Sequence, residues 1–526
     1  AVELTLEQRA ALEAIEADLG GGSGGRLLFG VTGSGKTEVY IRAIQATRKR
    51  GRSALVLVPE IALTPQMLDR LQGRLGDTVA IWHSGLTLAQ RRAQHERVRS
   101  GAADVVVGAR SAVFAPVPDL GLVIVDEEHD PSYKQDSTPR YDARQVAWRR
   151  AQQAGAALVY GSATPRPESW ARLARVELRM RADGTPPSPV EVVDMRKQGP
   201  GPLSRPLVRA LRDVAERGDK AIVMLNRRGV ALMALCRSCG WVARCPDCDV
   251  PMVIHADPER LECHHCGLEQ SVPRACPSCG AVDVARQGFG TRGLEQAIAR
   301  AAPGLRRVRL DAETSGGGSK VAEVLGRVAA PGPAVLLGTQ MVAKGHDLPN
   351  VALAAVIEAD ASLGRADFRA EERTFGLIVQ VRGRAGRRGQ AAKVIVQAWE
   401  PTARAIRLAV DDDVAGFLDG EIERRREHGY PPWGHLVRVV LDGPDAESVT
   451  TTARSLAASL RETGTLDVRG PARLHRLRGR HRRAVLVAAA RARPAADAIE
   501  AALASSRESL VAGRVRATVD VDPQET

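Results

Sequence analysis

The chain has 526 residues, of which 44% are hydrophobic and only 3% aromatic, and its formal net charge is +13. This length exceeds one compact core and predicts about three or four domains. No stretch approaches the roughly 20 apolar residues of a membrane span, which excludes an integral helical membrane protein and makes a soluble, cytoplasmic chain the expectation. The positive charge favours an anionic polymer as partner, although 67 of the 75 basic residues are Arg, a bias that reads as a property of the genome.

The opening AVELTLEQRAALEAIE has the pattern of an amphipathic helix, without the basic start, apolar run and cleavage site of a secretion signal. No Met stands at position 1, as in a processed chain or a segment of a longer protein. The aliphatic runs RLLFGVTG, ALVLVPE, DVVVGAR, GLVIVDEEH and ALVYGSAT then alternate with helical stretches, which predicts a parallel sheet with crossover helices. After the Pro-rich break DGTPPSPVEVVD the alternation restarts with AIVMLNRRG, RRVRLD, AVLLGTQM, VALAAVIEAD and KVIVQAW. The expected fold class is therefore α/β, with two RecA-like P-loop lobes. A Cys-rich, two-zinc insert interrupts the second lobe, and an α+β domain follows at the C-terminus. The expected divisions are 1–182 for the first lobe, 183–233 for the linker and start of the second, and 234–284 for the insert. Residues 285–420 complete the second lobe, and 421–526 form a basic C-terminal domain.

The strand RLLF feeds Gly30-Val-Thr-Gly33-Ser34-Gly35-Lys36-Thr37, and KTEVYIRAIQATRKR continues as a helix. In that setting glycines turn backbone N–H groups towards phosphates and the helix N-terminus adds partial positive charge. Lys36 reaches the β and γ phosphates and Thr37 holds Mg²⁺; the bland alternative is a flexible Gly-rich loop. A later strand ends in Asp126-Glu127-Glu128-His129, where Asp126 suits the metal and Glu127 orients the attacking water. The alternative for that tetrad alone is a solvated helix start. Gly161-Ser-Ala-Thr164 ends another strand with small hydroxyl residues able to sense an occupied nucleotide site. In the second lobe, the run from Gln380 to Arg387 presents Arg384 and Arg387 at i, i+3 on one helical face, as arginine fingers or as a solvated basic face.

All eight Cys form C-x-x-C pairs: Cys236/Cys239, Cys245/Cys248, Cys263/Cys266 and Cys276/Cys279. In a reducing compartment metal outranks disulfide, and four thiolates per tetrahedral zinc give two sites. Fourteen residues separate Cys248 from Cys263, so the inner pairs suit one zinc and the outer pairs the other. Redox chemistry is the rival. Near the C-terminus, Arg469 to Arg483 carries seven Arg in fifteen residues, which favours phosphate or single-strand contact over a solvated face.

Taken together, GVTGSGKTEVY, VPEIALTPQ, HSG, GARSAVFAP, DEEHDPSYKQ, GSATP, LNRRG, GTQMVAKGHDLP, DFRAEER, GRAGR, GYPPWG and the eight-Cys pattern are similar to the superfamily 2 helicases. More narrowly they resemble the primosomal protein N′ (PriA) family of replication-restart helicases. The resemblance implies an ATP-dependent 3′-to-5′ DNA helicase that acts at stalled or repaired forks and helps reload the replicative helicase. Implied partners are forked and single-stranded DNA, single-stranded-DNA-binding protein and other primosome proteins, with no membrane. It carries Gly33, Ser34, Gly35, Lys36 and Thr37 over to the nucleotide, Asp126 and Glu127 to hydrolysis, and Arg384 and Arg387 to the fingers. It gives the same nested zinc pairing. The segment from Tyr133 and Lys134 to Arg140 and Tyr141 resembles an aromatic-rich loop that couples DNA contact to ATP turnover, with tyrosine as a stacking surface.

The sequence opens at the helicase lobe, so the family's N-terminal DNA-binding and winged-helix domains are expected to be missing from it. Three further departures bear on how hydrolysis couples to unwinding: Arg292 in place of an acidic residue, Arg382 in place of a small one, and DAETSGGGS in place of an Asp-Thr-Thr segment. They motivate a rival reading, a fork-binding scaffold with weak or no ATPase. A second rival is a zinc-ribbon translocase on RNA.

Overall fold

A computed structural model describes residues 3–524 apart from 22–23, 60–70, 84, 200, 227–231, 237, 240, 247–251, 257–258, 264–267, 283, 288–290, 311–317, 344–347, 364–366 and 387–389. Cys248, Cys266 and Arg387 therefore lie outside the described residues, as do His264, His265, Lys344 and residues 311–317 of the Gly-rich departure. The chain divides into two bodies, one of Ala1–Asn226, Thr291–Ala359 and Phe375–Val414, the other of Arg227–Gly290, Asp360–Thr374 and Ala415–Thr526.

In the first body, β1 (Arg26–Gly30), β2 (Ser53–Leu57), β3 (Val79–Trp82), β4 (Val105–Gly108), β5 (Leu120–Val125), β6 (Ala157–Ser162) and β7 (Ala174–Leu178) form a parallel sheet in the order β3-β4-β2-β5-β6-β1-β7. Its central strands are continuous Val, Leu, Ile and Ala runs because both faces are covered, leaving no polar side to alternate with. The helix Lys36–Lys49 covers one face through Val39, Ile41 and Ile44, which pack with Leu28, Val56 and Ile124. The order β5-β6-β1 brings the carboxyl ends of three adjacent strands together, and the loops leaving them carry the nucleotide motifs.

A second parallel sheet begins with β8 (Val190–Asp194) and β9 (Lys220–Leu225). The chain then leaves to make β10 (Leu232–Cys236), β11 (Val253–Ala256), β12 (Glu259–Glu262), β13 (Glu269–Gln270) and β14 (Val284–Gln287). It returns with β15 (Arg306–Leu310), β16 (Ala334–Gly338), β17 (Val351–Ile357) and β18 (Lys393–Ala398), completing the order β15-β16-β9-β17-β18-β8. Leu207 and Leu211 of the helix Arg205–Arg217 and Leu294 and Ile298 of the helix Thr291–Ala301 fill this second core.

The second body contains the insert, an antiparallel sheet in the order β13-β12-β11-β10-β14. Its buried cluster is small, centred on Ala243, Cys245, Met252, Leu261 and Cys263, and so poor in apolar area that a metal is the expected staple. The C-terminal sheet comprises β19 (His435–Gly443), β20 (Asp467–Leu477), β21 (Arg480–Ala489) and β22 (Arg516–Val521) in the order β20-β21-β19-β22. The helices Ala446–Glu462 and Ala492–Ser505 cover it through Val449, Leu456, Leu460 and Ile499, an α+β arrangement. The Arg-rich stretch Arg469 to Arg483 is the hairpin of β20 and β21. Among the described residues no helix is long and apolar enough to cross a membrane.

Candidate nucleotide site and metal centre

The aliphatic strand β1 delivers the chain into a turn that glycine makes without strain: Gly33 and Gly35 have φ of 87° and 83°. Gly35 caps the helix Lys36–Lys49, whose first N–H groups have no intrahelical acceptor and face the loop. Within the loop the Ser34 hydroxyl is buried without a hydrogen-bond partner. The Lys36 ammonium donates to Gly30 O at 2.8 Å, and Thr37 is half-buried one residue further on. Orphan N–H groups, an orphan hydroxyl and a cation resting on a carbonyl are the donor set that a polyphosphate satisfies. One supporting residue was not foreseen. Gln8 donates through Nε2 to Ser34 O at 2.8 Å while its Oε1 accepts from Thr5 N at 3.0 Å. The Thr-x-x-Gln capping-box spacing announces only the second of these contacts.

Asp126 and Glu127 leave the end of β5, with β6 between that strand and β1. Tyr40 donates to Asp126 Oδ1 at 2.9 Å. Burial and the adjacent Glu127 push the Asp126 carboxyl up to about 6, against the pull of Lys36 and the Tyr40 hydroxyl. A carboxylate so short of positive charge is the kind of group a divalent cation satisfies. Glu127 takes φ of 46°, a left-handed backbone that costs a non-glycine residue about 1–3 kcal/mol and concentrates at working sites. Glu128 N to Gly161 O at 3.0 Å and Asp130 N to Glu127 O at 2.8 Å hold the turn. Glu128 itself is occupied internally, accepting from Arg166 N at 2.7 Å and Ser169 Oγ at 2.9 Å.

His129 connects the motifs. Its Nδ1 lies 2.8 Å from Ser162 Oγ and its Nε2 lies 2.9 Å from Gln380 Nε2, while Gln380 Nε2 also donates to Thr164 Oγ1 at 3.2 Å. With the Gln380 amide N–H directed at it, His129 Nε2 is the acceptor of that contact. The acidic tetrad, the Ser-Ala-Thr strand end and the second lobe are thus joined in one chain of hydrogen bonds.

Arg384 is placed differently from the expectation. The helix Ala370–Arg382 ends before it, so Arg384 sits half-buried in a turn and not on a helical face. Gly383 lies against the phosphate loop so closely that a Cβ there would collide with the Thr32 side chain, and Gly386 has φ of 67°. These two glycines end the helix and bring the turn to the site. Arg181, buried, braces it by donating to Gly386 O at 2.8 Å and Ala385 O at 3.4 Å.

The aromatic segment also needs correction. Tyr133 is 1% exposed and donates its hydroxyl to Asp126 O at 2.6 Å, so it braces the acidic turn and offers no face for base stacking. Lys134 is buried beside it. Arg140 and Tyr141 are half-buried, and Tyr141 meets the 57% exposed Phe114 edge-on with centroids 4.9 Å apart. Sequence reasoning passed over Phe114, whose only signal was a lone aromatic in GARSAVFAP.

In the second body the Sγ atoms of Cys236, Cys239, Cys276 and Cys279 all lie within 4.8 Å of one another. Cys236 to Cys279 is 3.7 Å and Cys239 to Cys276 is 3.6 Å. Tetrahedral Zn–S bonds of about 2.3 Å put sulfurs roughly 3.8 Å apart, so the outer quartet fits zinc. Cys245 and Cys263 are both buried in the core of the insert.

Three family models match the chain: DEAD/DEAH box helicase over residues 5–173, the PriA DNA helicase Cys-rich region domain over 245–270, and the primosomal protein N C-terminal domain over 426–524. The replication restart protein PriA of Bacillus subtilis is 40% identical over 496 residues, covering 91% of this chain and 61% of that protein. PriA of Treponema pallidum is 41% identical over 477 residues, covering 89% of this chain and 72% of that protein. The chain belongs to the PriA replication restart protein family. It spans about three fifths of the length of the Bacillus subtilis relative. A solved structure of RecG bound to a three-way DNA junction shares the fold, with TM-score 0.50 and 17% identity over 81% of this chain and 50% of that one.

Two of the chain's departures from the PriA pattern have places in the fold. Arg382 is buried and donates to Ser188 O at 3.1 Å, with Asp412 Oδ1 3.3 Å away, so it fastens the end of its helix. Arg292 is exposed in the first turn of the helix Thr291–Ala301.

Proposed function

We propose that the chain is the motor of an ATP-dependent DNA helicase that moves 3′ to 5′ and acts on stalled or repaired replication forks during replication restart. The observation that carries this reading is the hydrogen-bond chain from Ser162 through His129 and Gln380 to Thr164, laid beside a phosphate loop that Gly383 touches from the second lobe. A nucleotide site that is only a binding site has no need of such a link between lobes. In this reading Gly33, Ser34, Gly35, Lys36 and Thr37 hold the triphosphate, Asp126 holds Mg²⁺, and Glu127 orients the attacking water. Arg384 and Arg387 meet the charge that develops on the transferred phosphoryl group. The magnesium ion, when bound, neutralises phosphate charge. Phe114, Arg140 and Tyr141 form the lobe's contact with single-stranded DNA, in place of Tyr133.

Forked and single-stranded DNA, single-stranded-DNA-binding protein and primosome proteins are the partners of that role, and the cytoplasm is its place. Two zincs, one in the outer and one in the inner Cys quartet, complete the insert at 234–284. Along the chain the further divisions are the first lobe at 1–182, the linker and start of the second lobe at 183–233, the remainder of that lobe at 285–420 and a C-terminal domain at 421–526. Unwinding of forked duplexes with either a 3′ or a 5′ single-stranded arm tests the proposal. It requires ATP-dependent unwinding that is lost in Lys36→Ala and that depends on a strand the motor enters from its 3′ side. DNA binding without turnover would favour the scaffold reading, and equal stimulation by RNA forks the RNA translocase.

A further inference from the structure

The strap that leaves β7 crosses the phosphate loop and is bonded to it twice. Val31 N donates to Leu178 O at 3.0 Å, and Ala182 N donates to Gly33 O at 2.9 Å. Between these bonds Arg179 and Met180 are exposed, whereas Arg181 turns inward and is buried. A Cβ built on Gly33 would stand 3.8 Å from Arg181 Cγ and 3.9 Å from its Cδ, so the aliphatic stem lies along the loop at van der Waals distance. The guanidinium reaches on to the second lobe. Its Nη1 donates to Gly386 O at 2.8 Å, and Nη1 and Nη2 both lie 3.4 Å from Ala385 O. Ser188 Oγ, further along the strap, donates to the same Ala385 carbonyl at 3.2 Å.

Arg384 is therefore suspended between two fixed points. On one side Gly383 abuts the Thr32 side chain, and on the other the Ala385 and Gly386 carbonyls are held by Arg181 and Ser188. Gly386 is as confined as Gly383, since a Cβ there would come within 2.6 Å of Ser188 Oγ. A cavity of about 260 Å³ lies alongside, lined by Val31, Thr32, Arg181, Arg382 and Gly383 among others, so close packing does not fix the turn on that side and the polar contacts must. A planar guanidinium can span two successive carbonyls with charge-assisted bonds, which a point-like ammonium cannot.

We propose that Arg181 is a positioning residue for phosphoryl transfer: it sets the distance between the phosphate loop and the turn that carries Arg384, and so where Arg384 meets the transferred phosphoryl group. This rests on the reading of Arg384 as an arginine finger. With its stem on Gly33 and its head on the Ala385 and Gly386 carbonyls, one side chain joins the loop that holds the nucleotide to the turn that completes the site. Arg181 acts through Arg384 and not on the nucleotide itself.

The test is the affinity of fluorescent mant-ADP with and without aluminium fluoride, on the whole zinc-loaded chain with Mg²⁺ and saturating oligo-dT. The fluoride complex imitates the transferred phosphoryl group and reports finger placement without requiring turnover. Arg181→Met keeps an unbranched stem against Gly33 and removes the guanidinium. It should leave mant-ADP affinity unchanged and cut the tightening produced by aluminium fluoride about 10- to 100-fold, the scale of a reacting group displaced by about 1 Å. Arg181→Lys, which keeps a charged donor, should recover part of that loss. In an Arg384→Ala background Arg181→Met should cost less than about 3-fold more, because the group it places is gone. Melting temperatures report intact folding. Equal weakening of mant-ADP with and without fluoride, or single effects of Arg181→Met and Arg384→Ala that simply multiply, overturns the positioning role. An unaltered chain that binds mant-ADP but gains nothing from fluoride overturns both the finger and its positioning. A chain that shows the Arg181 effect on the fluoride complex yet turns over no ATP refutes the motor and supports the positioning.

Discussion

Replacing Gln380 with Ala removes one side chain that reaches both His129 and Thr164. The Nε2 contacts are 2.9 Å to His129 Nε2 and 3.2 Å to Thr164 Oγ1. At about 1 kcal/mol for each neutral hydrogen bond, the link is worth about 2 kcal/mol. Loss of the whole link from the DNA-stimulated transition state lowers DNA-stimulated turnover by up to about 30-fold. Turnover without DNA should change by much less, because Lys36, Asp126 and Glu127 keep their positions. A double-mutant cycle sharpens the test. His129→Ala and Gln380→Ala share one hydrogen bond, so the double variant should fall short of the product of the singles by about 5-fold, or 1 kcal/mol. Strict multiplication of the two single effects, or equal loss of turnover with and without DNA, would refute the coupling role.

Other outcomes follow from other contacts. Asp142 pairs with Arg144 at 2.6 Å, both buried, and this guanidinium, opposing the penalty of burial, holds the Asp142 pKa below the usual carboxylate range. A depressed folded value means the stabilisation is complete above the unfolded pKa and is lost as pH falls. Melting temperature should therefore decline from about pH 4 downward, and Asp142→Asn, which strands Arg144, should cost about 3–5 kcal/mol at neutral pH in chemical denaturation. Elemental analysis should find two zincs per chain, falling to one when Cys276 and Cys279 are both replaced by Ser; an unchanged count rejects the outer site. Tyr133→Phe should leave oligonucleotide affinity unaltered while lowering stability by about 1 kcal/mol, whereas Phe114→Ala should weaken affinity by about 1–3 kcal/mol if a base stacks there. Anisotropy titration reads both.

Much of this molecule is legible in its residues because its two main sheets are parallel and covered on both faces. That topology demands uninterrupted aliphatic runs, and the turns that leave them are marked by the glycines of the phosphate loop and the acids after β5. The C-x-x-C spacing announces the outer quartet because two residues between cysteines give the bend that brings both thiolates to one ion. What the sequence hides is direction. Tyr133 reads as an exposed aromatic in a polar loop, but its hydroxyl is drawn inward by the Asp126 carbonyl, and no local pattern records that pull. Arg384 reads as helical because nothing in QVRGRAGR shows that Gly383 must give way to Thr32 across the site. Gln8 and Arg181 are missed for the same reason, since each acts through a backbone carbonyl far along the chain.

ATP turnover measured with and without forked or single-stranded DNA, in the unaltered chain and in Lys36→Ala, tests the account most directly. A motor coupled to DNA shows turnover strongly stimulated by DNA, and that turnover disappears in Lys36→Ala while DNA binding persists. DNA binding by the unaltered chain with no turnover, or turnover indifferent to DNA, would contradict it.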